Sequence, residues 1–273
     1  MLPDRLNFCS VMVPRAITSL TALAITAVAV SMTGWPPLRG INPHSDVAQS
    51  SSPLFQESDP DPTDFSAEEL EHLQRRFGVH GPQTQLAQLF TRGVDQLQPL
   101  RANTLSRLHR LKPVIQREAG RHRINPMLIT AILFDEIQHS KPGEDLPFIV
   151  HSGLVETHGP AQLGISELIH QGRLPVDPSP QQIAAARDLL MDPDANVELL
   201  AAKLARLKGE LGLEREAILI ASRSYVDAKA IATLAYLHNG KLDYPARVLR
   251  YMQDPALHGL IYSTIRPAPL PVI

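Results

Sequence analysis

Residues 126–139 read Pro-Met-Leu-Ile-Thr-Ala-Ile-Leu-Phe-Asp-Glu-Ile-Gln-His, an apolar run that closes on two adjacent carboxylates, Asp135 and Glu136. Asn125-Pro126 opens the run with a capping residue and a proline at the first helical position, and its apolar character nearly all round marks a buried helix. At helical spacing Ile129, Ile132 and Leu133 fall on the Glu136 side, at i−7, i−4 and i−3. Apolar neighbours and the negative end of the helix dipole both disfavour an ionised carboxyl group there. A carboxylic acid that keeps its proton can protonate a leaving group, so Glu136 is the candidate general acid. The plain alternative is a helix-terminal charge that reaches water.

Two further segments carry polar groups among apolar ones. In Gly159-Pro160-Ala161-Gln162-Leu163-Gly164-Ile165, two glycines bracket a glutamine. Glycine permits close backbone approach, and a glutamine between such residues can fix a ligand. In Leu234-Ala235-Tyr236-Leu237-His238-Asn239-Gly240, a polar cluster follows an apolar helix, and Asn-Gly can also be a simple helix stop.

Glu-x-x-His occurs three times, at Glu69/His72, Glu136/His139 and Glu167/His170. Two such pairs with two further glutamates on facing helices would build a carboxylate-bridged di-iron site, which is the rival reading from a different class. It leaves the Gly159–Gly164 segment unused and finds no four helices of matched length. His139, His151 and His158 could also hold a metal, but no His-Glu-x-x-His occurs and a solvated loop explains them as well. No metal or other cofactor is expected.

The elements that must position these groups are helical almost throughout. Ser66-Ala67-Glu68-Glu69 is a capping box, followed by Leu70, Leu73 and Phe77 at helical spacing, with Gly78 as the stop. Further helices are expected over 83–97, 102–120 (with Pro113 as a break or restart), 126–139, 160–170, 180–190, 195–211, 227–238 and 244–253. The stretch 139–158 has no clear period and reads as the longest loop. Phe148-Ile149-Val150 is the best strand signal, and a short one. The expected class is an all-α domain over 66–273.

Residues 1–35 have another character. Arg5 and Arg15 precede a run, 16–38, that holds no charged residue before Arg39 and is most apolar over 16–30. That pattern reads as an export signal, with Ala27-Val28-Ala29 as a cleavage site, or as an uncleaved membrane anchor. The acidic residues that follow place the bulk of the chain outside the cytoplasm, periplasmic or in the cell envelope. Residues 36–65 read as a linker rich in Pro, Ser and Asp. With 26 basic and 28 acidic residues in 273, the chain lacks the basic surplus of a nucleic-acid binder. Its one cysteine, Cys9, excludes a disulfide framework.

The order of these pieces resembles the lysozyme-like domain of lytic transglycosylases and goose-type lysozymes. The likeness rests on Ile124-Asn125-Pro126 before the Glu136 helix, then Gly159-Pro160-Ala161-Gln162, Asp192-Pro193-Asp194-Ala195-Asn196 and Ala235-Tyr236-Leu237-His238-Asn239-Gly240. It spans 113–240. The chain departs from that pattern at Ile137, where the family has Ser, and at Leu237-His238, which interrupt a Tyr-Asn pair. The resemblance implies cleavage of glycan strands of peptidoglycan, with Glu136 as catalytic acid and Gln162, Gly159, Tyr236, His238 and Asn239 binding substrate. A transglycosylase route needs no second carboxylate. A hydrolytic route would draw one from Asp135, Glu144, Asp145 or Glu156. A domain that binds glycan or an envelope protein without turnover is the non-enzymatic alternative.

Overall fold

Asn125, Ser66, Ser179, Asp192, Ser224 and Asp254 each accept a backbone N–H at the first turn of a helix, and these caps set where the helices begin. The chain is seen as a computed structural model that describes residues 60–78, 98–140, 143 and 146–263. Among them run α1 (Ala67–Phe77), α2 (Gln98–His122), α3 (Pro126–His139) and α4 (Pro147–Ser152). A hairpin of β1 (Thr157–His158) and β2 (Leu163–Gly164) follows. Then come α5 (Ile165–His170), α6 (Pro180–Met191), α7 (Pro193–Glu210), α8 (Tyr225–Asn239), α9 (Tyr244–Met252) and α10 (Pro255–Tyr262).

Helix α3 sits at the centre. It packs against α2, α7, α9 and α10, and Met127 through Phe134 are all buried, as its apolar sequence requires. Helix α8 lies against α7 and α9 and buries Ile231, Leu234, Ala235 and Tyr236. The expected all-α character therefore holds over the described residues, with the two-residue strands as the only sheet among them. No described helix is long and apolar enough to cross a membrane. The export or anchor segment and the helix expected over 83–97 lie outside the described residues. Phe65, at the end of the segment read as linker, packs its ring 5.5 Å from that of Tyr236, and Asp64 O accepts from Lys229 Nζ at 2.7 Å.

Several local expectations are corrected. Pro113 does not interrupt α2. It is exposed, as is His109, whose carbonyl loses its helical partner, so the break lies on the solvent side while Leu111, Val114 and Ile115 hold the buried face. The segment 148–150 is not a strand but part of α4, which Gly153 ends at φ +77° and which is anchored by the fully buried Val150. Its packing on α6 outweighs the β preference of Ile and Val. Helix does not resume at Pro160. Residues 159–162 form the turn of an antiparallel hairpin, with His158 paired to Leu163 and Thr157 to Gly164. Gly159 at φ +72° and Gln162 at φ +47° lie in the left-handed region and break any helical path. Helix α10 was not expected at all; Asp254-Pro255 starts it with the same cap-and-proline signal as Asn125-Pro126.

Candidate functional site

The C-terminal turn of α3 delivers Asp135 and Glu136 to one cleft of about 270 Å³, which is also lined by Thr157 and Gln162 from the hairpin and by His238, Asn239, Lys241 and Arg247. Three of the family-like segments thus meet here. Asn239 and His238 arrive on the last turn of α8, which Gly240 closes at φ +80°.

The hairpin is held from below by Asn196, one turn into α7. Its Oδ1 accepts from Ala161 N at 2.7 Å, and its Nδ2 donates to His158 O at 3.1 Å and to Leu190 O at 2.9 Å. The side chain is fully buried, and these bonds satisfy it. Its closeness explains Gly159: a Cβ there would lie 2.2 Å from Leu190 O and 2.5 Å from Asn196 Nδ2. Gly159 therefore shapes the hairpin and does not line the cleft. Gln162 does line it. Its Oε1 accepts from Thr157 Oγ1 at 2.7 Å and its Nε2 donates to Gly159 O at 3.3 Å, so the amide is oriented across the hairpin.

Glu136 is 12 % exposed, while Ile129, Ile132 and Leu133 are fully buried in the core. The carboxylate therefore sits at the boundary between core and cleft, among polar groups on its cleft side. Asn239 Nδ2 donates to its Oε1 at 3.1 Å, and His238 Nε2 lies 3.4 Å from the same oxygen. Burial pushes the His238 imidazole below its ordinary range, and the Lys203 ammonium nearby pushes the same way. Tyr244 packs its ring 5.9 Å from that of His238. Burial, then the Glu136 and Asp135 charges, hold its phenol well above the usual value, so it stays protonated.

Asp135 has different company. Arg247 donates to it from Nε at 2.7 Å and from Nη2 at 3.0 Å, and His139 Nδ1 lies 3.4 Å away. Burial works against its charge, but the bonds from His139 and Arg247 outweigh that and hold the carboxyl below the usual carboxylate range. Arg247 also binds Asp243 one turn back on its own helix. Of the other candidate carboxylates, Glu156 is exposed and does not line the cleft, and Glu144 and Asp145 lie outside the described residues.

Tyr236 is not a cleft residue. It is fully buried against Phe65, and its hydroxyl has no hydrogen-bond partner among the described residues. Tyr244 and Tyr251 are core residues too, whereas Tyr225 and Tyr262 are exposed. The Glu-x-x-His pairs do not converge. Glu69 accepts from Ser66 N and Lys229, and Glu167 from Arg206 and Gln171. Among the described residues, no three His, Cys, Asp or Glu side chains gather as a metal site would require. His158, expected in a solvated loop, is buried in the hairpin.

A larger cavity, of about 650 Å³, is lined by Arg121, Arg123, Arg206, Lys208 and Arg215. Its cations are mostly engaged internally. Lys208 Nζ donates to the carbonyls of Arg123, Arg215 and Ala217, and Arg206 binds Glu167 and Glu210. The smaller cleft is the one with a carboxylate poised beside neutral donors.

Sequence reading missed Lys203, Lys241 and Arg247 as site residues. Lys203 carried a usable signal, since it lies seven residues after Asn196 and so on the same face of α7. Lys241 follows Asn239-Gly240 directly. Nothing local marked Arg247. Comparisons with protein-family models, with curated proteins and with solved structures gave no match.

Proposed function

We propose that this chain has a lysozyme-like domain that cleaves the glycan strands of peptidoglycan in the manner of a lytic transglycosylase, with Glu136 as the single catalytic carboxyl group. Glu136 protonates the oxygen between N-acetylmuramic acid and N-acetylglucosamine. The resulting carboxylate then takes the proton of the muramyl 6-hydroxyl, whose oxygen attacks the anomeric carbon and closes a 1,6-anhydro ring. Gln162, from the cleft wall, offers its amide to the sugar, and Asn239 holds the carboxyl group.

One observation carries this reading over a hydrolytic one. Of the two carboxylates in the cleft, Asp135 is committed to Arg247, and Glu136 alone has no lysine or arginine ion pair among the described residues. A second carboxylate free to activate water, or to attack the sugar, is what the two-carboxylate mechanism needs. The reading also requires export, which residues 16–30 would direct; a fusion of residues 1–64 to a reporter active only outside the cytoplasm tests it.

The deciding experiment incubates the purified chain with cell-wall sacculi and analyses the soluble products by mass. Muropeptides with 1,6-anhydro ends are expected. Products with reducing ends would move the reading to a hydrolase. Binding to sacculi with no release by wild type would replace turnover with recognition.

A further inference from the structure

Behind Glu136 lies a polar chain that the proposed reaction has not used. Lys203 Nζ donates to the carbonyl oxygen of His238 at 3.1 Å and lies 3.3 Å from Nδ1 of the same residue. On the far side of the ring, Nε2 lies 3.4 Å from Glu136 Oε1. The His238 side chain is 2 % exposed, so water does not compete for either nitrogen.

The donor and acceptor inventory fixes the roles. A carbonyl oxygen only accepts, so Lys203 Nζ points its protons at His238. With the catalytic proton on Oε2, or with none, Glu136 Oε1 only accepts, so the ring nitrogen facing it carries the proton. A neutral imidazole has one N–H, which leaves Nδ1 bare to accept from Lys203. Both contacts are satisfied together by one tautomer and by neither the other tautomer nor the imidazolium.

Resting on the transglycosylase reading, we propose that Lys203 is a positioning residue: it holds the neutral His238 ring with its proton on Nε2, aimed at Glu136 Oε1, and so leaves Oε2 as the oxygen that carries the catalytic proton. Asn239 Nδ2 secures the same Oε1. Asn239 and His238 thus both take Oε1, and the buried Tyr244 phenol also interacts with the carboxyl group. A single carboxyl group that works first as acid and then as base needs one oxygen held still through both steps, because the second proton transfer begins from the geometry the first one leaves.

The charged and titratable groups around His238 come from every element packed on it: Glu136 from α3, Glu167 from α5, Lys203 from α7 and Tyr244 from α9, with Lys241 at the cleft. Burial is the larger cause of the ring's reluctance to take a second proton, and Lys203 is the cation that adds to it. Without Lys203, His238 protonates at higher pH and forms an ion pair with Glu136, which keeps the carboxyl group from holding the proton it must donate.

The test uses the full chain labelled with ¹⁵N-histidine, as wild type, Lys203→Met and Lys203→Arg, with His238→Gln to assign the signal. In wild type, His238 should show a protonated Nε2 and a bare Nδ1. In Lys203→Met the ring should become a tautomer mixture and titrate at higher pH, and Lys203→Arg, which keeps a donor, should restore the wild-type pattern. Muropeptide release by Lys203→Met should fall on the order of 10-fold to 100-fold with substrate binding retained, and the acid limb of its pH profile should move upward. Wild-type signals showing a protonated Nδ1, or signals unchanged in a folded Lys203→Met, would overturn the proposal even if cleavage is intact. The expected signals in a chain that releases no muropeptide would leave the Lys203–His238 pairing standing and remove the transglycosylase reading.

Discussion

Asp135 and Glu136 are neighbours in the chain and enter the same cleft, yet they meet opposite partners. Asp135 takes both forks of Arg247 and is nearly inaccessible, whereas Glu136 takes one amide proton from Asn239 and the Nε2 side of an imidazole. A bidentate guanidinium fixes a carboxylate in its charged form and spends both its oxygens. Neutral donors on one oxygen orient a carboxyl group without settling its charge. Two carboxylates one residue apart can thus be given a structural and a chemical role by environment alone.

The largest effect that could break this division is the exchange of phenotype between the two positions. Glu136→Gln should lower muropeptide release by roughly 10²–10⁴, and its melting temperature should stay level or rise, because the amide is nearly isosteric and bears no charge at the core boundary. The reverse pattern, with activity kept and stability lost, would reassign Glu136 to the structural role.

Next in size, Arg247→Met should strand Asp135 without a cation in a buried setting, at a cost of about 3–5 kcal/mol. Urea unfolding would read it as a fall in midpoint at constant slope. Asp135→Asn combined with Arg247→Met should recover much of that loss, since the uncompensated charge is gone. A double variant no more stable than Arg247→Met would mean that packing, and not charge pairing, is what these residues supply.

A smaller effect probes the hairpin that brings Gln162 into the cleft. Gly159→Ala forces a methyl group against Leu190 O and Asn196 at a positive φ. The expected destabilisation is about 1–3 kcal/mol, and because Asn196 clamps the turn, glycan binding should weaken along with it. If Gly159→Ala lowers stability and leaves binding to sacculi unchanged, Gln162 is not part of the binding surface.

The difference between the two carboxylates was only half legible in the sequence. Position and burial of α3 followed from local signals: the Asn125-Pro126 start, the apolar run, and a capping rule that also located α1. The order of segments singled out both Glu136 and Gln162, and both line the cleft. What decided the roles did not, because Arg247 reaches Asp135 across 112 residues and Lys203 reaches His238 across 35. Nothing in a helical period says which helices will face each other. The hairpin was missed for a similar reason. Its strands are two residues each, and its turn is imposed by a side chain from α7, so neither a period of two nor a favoured turn pair announces it. Pro113 misled because the cost of proline depends on whether its face of the helix sees water, which is a tertiary fact.

The finest contrast between the two sides is their response to acid. Asp135 has its carboxyl held below its ordinary value of 3.8, by bonds that outweigh burial. A group depressed on folding adds stability above the unfolded value and loses it as pH falls through the folded one, so this contribution is complete above about pH 4 and fades only in stronger acid. His238 is also depressed, from 6.5, first by burial and then by Lys203. By the same sign rule the unfolded chain takes up a proton at this residue before the folded chain does, so stability declines as pH drops below 6.5. His122, likewise depressed by burial, adds to the decline in that window and is retained in every variant considered. Unfolding free energies of wild type and His238→Gln between about pH 7 and pH 5, read from urea titrations, should therefore diverge in slope, the variant being flatter by at most about 1.4 kcal/mol per pH unit. Asp135→Asn should differ from wild type below about pH 4, and because it also removes the charge 3.4 Å from His139 Nδ1, its slope between about pH 7 and pH 5 reports its own side of the cleft. Equal slopes for wild type and His238→Gln would mean that His238 is not held neutral behind Glu136.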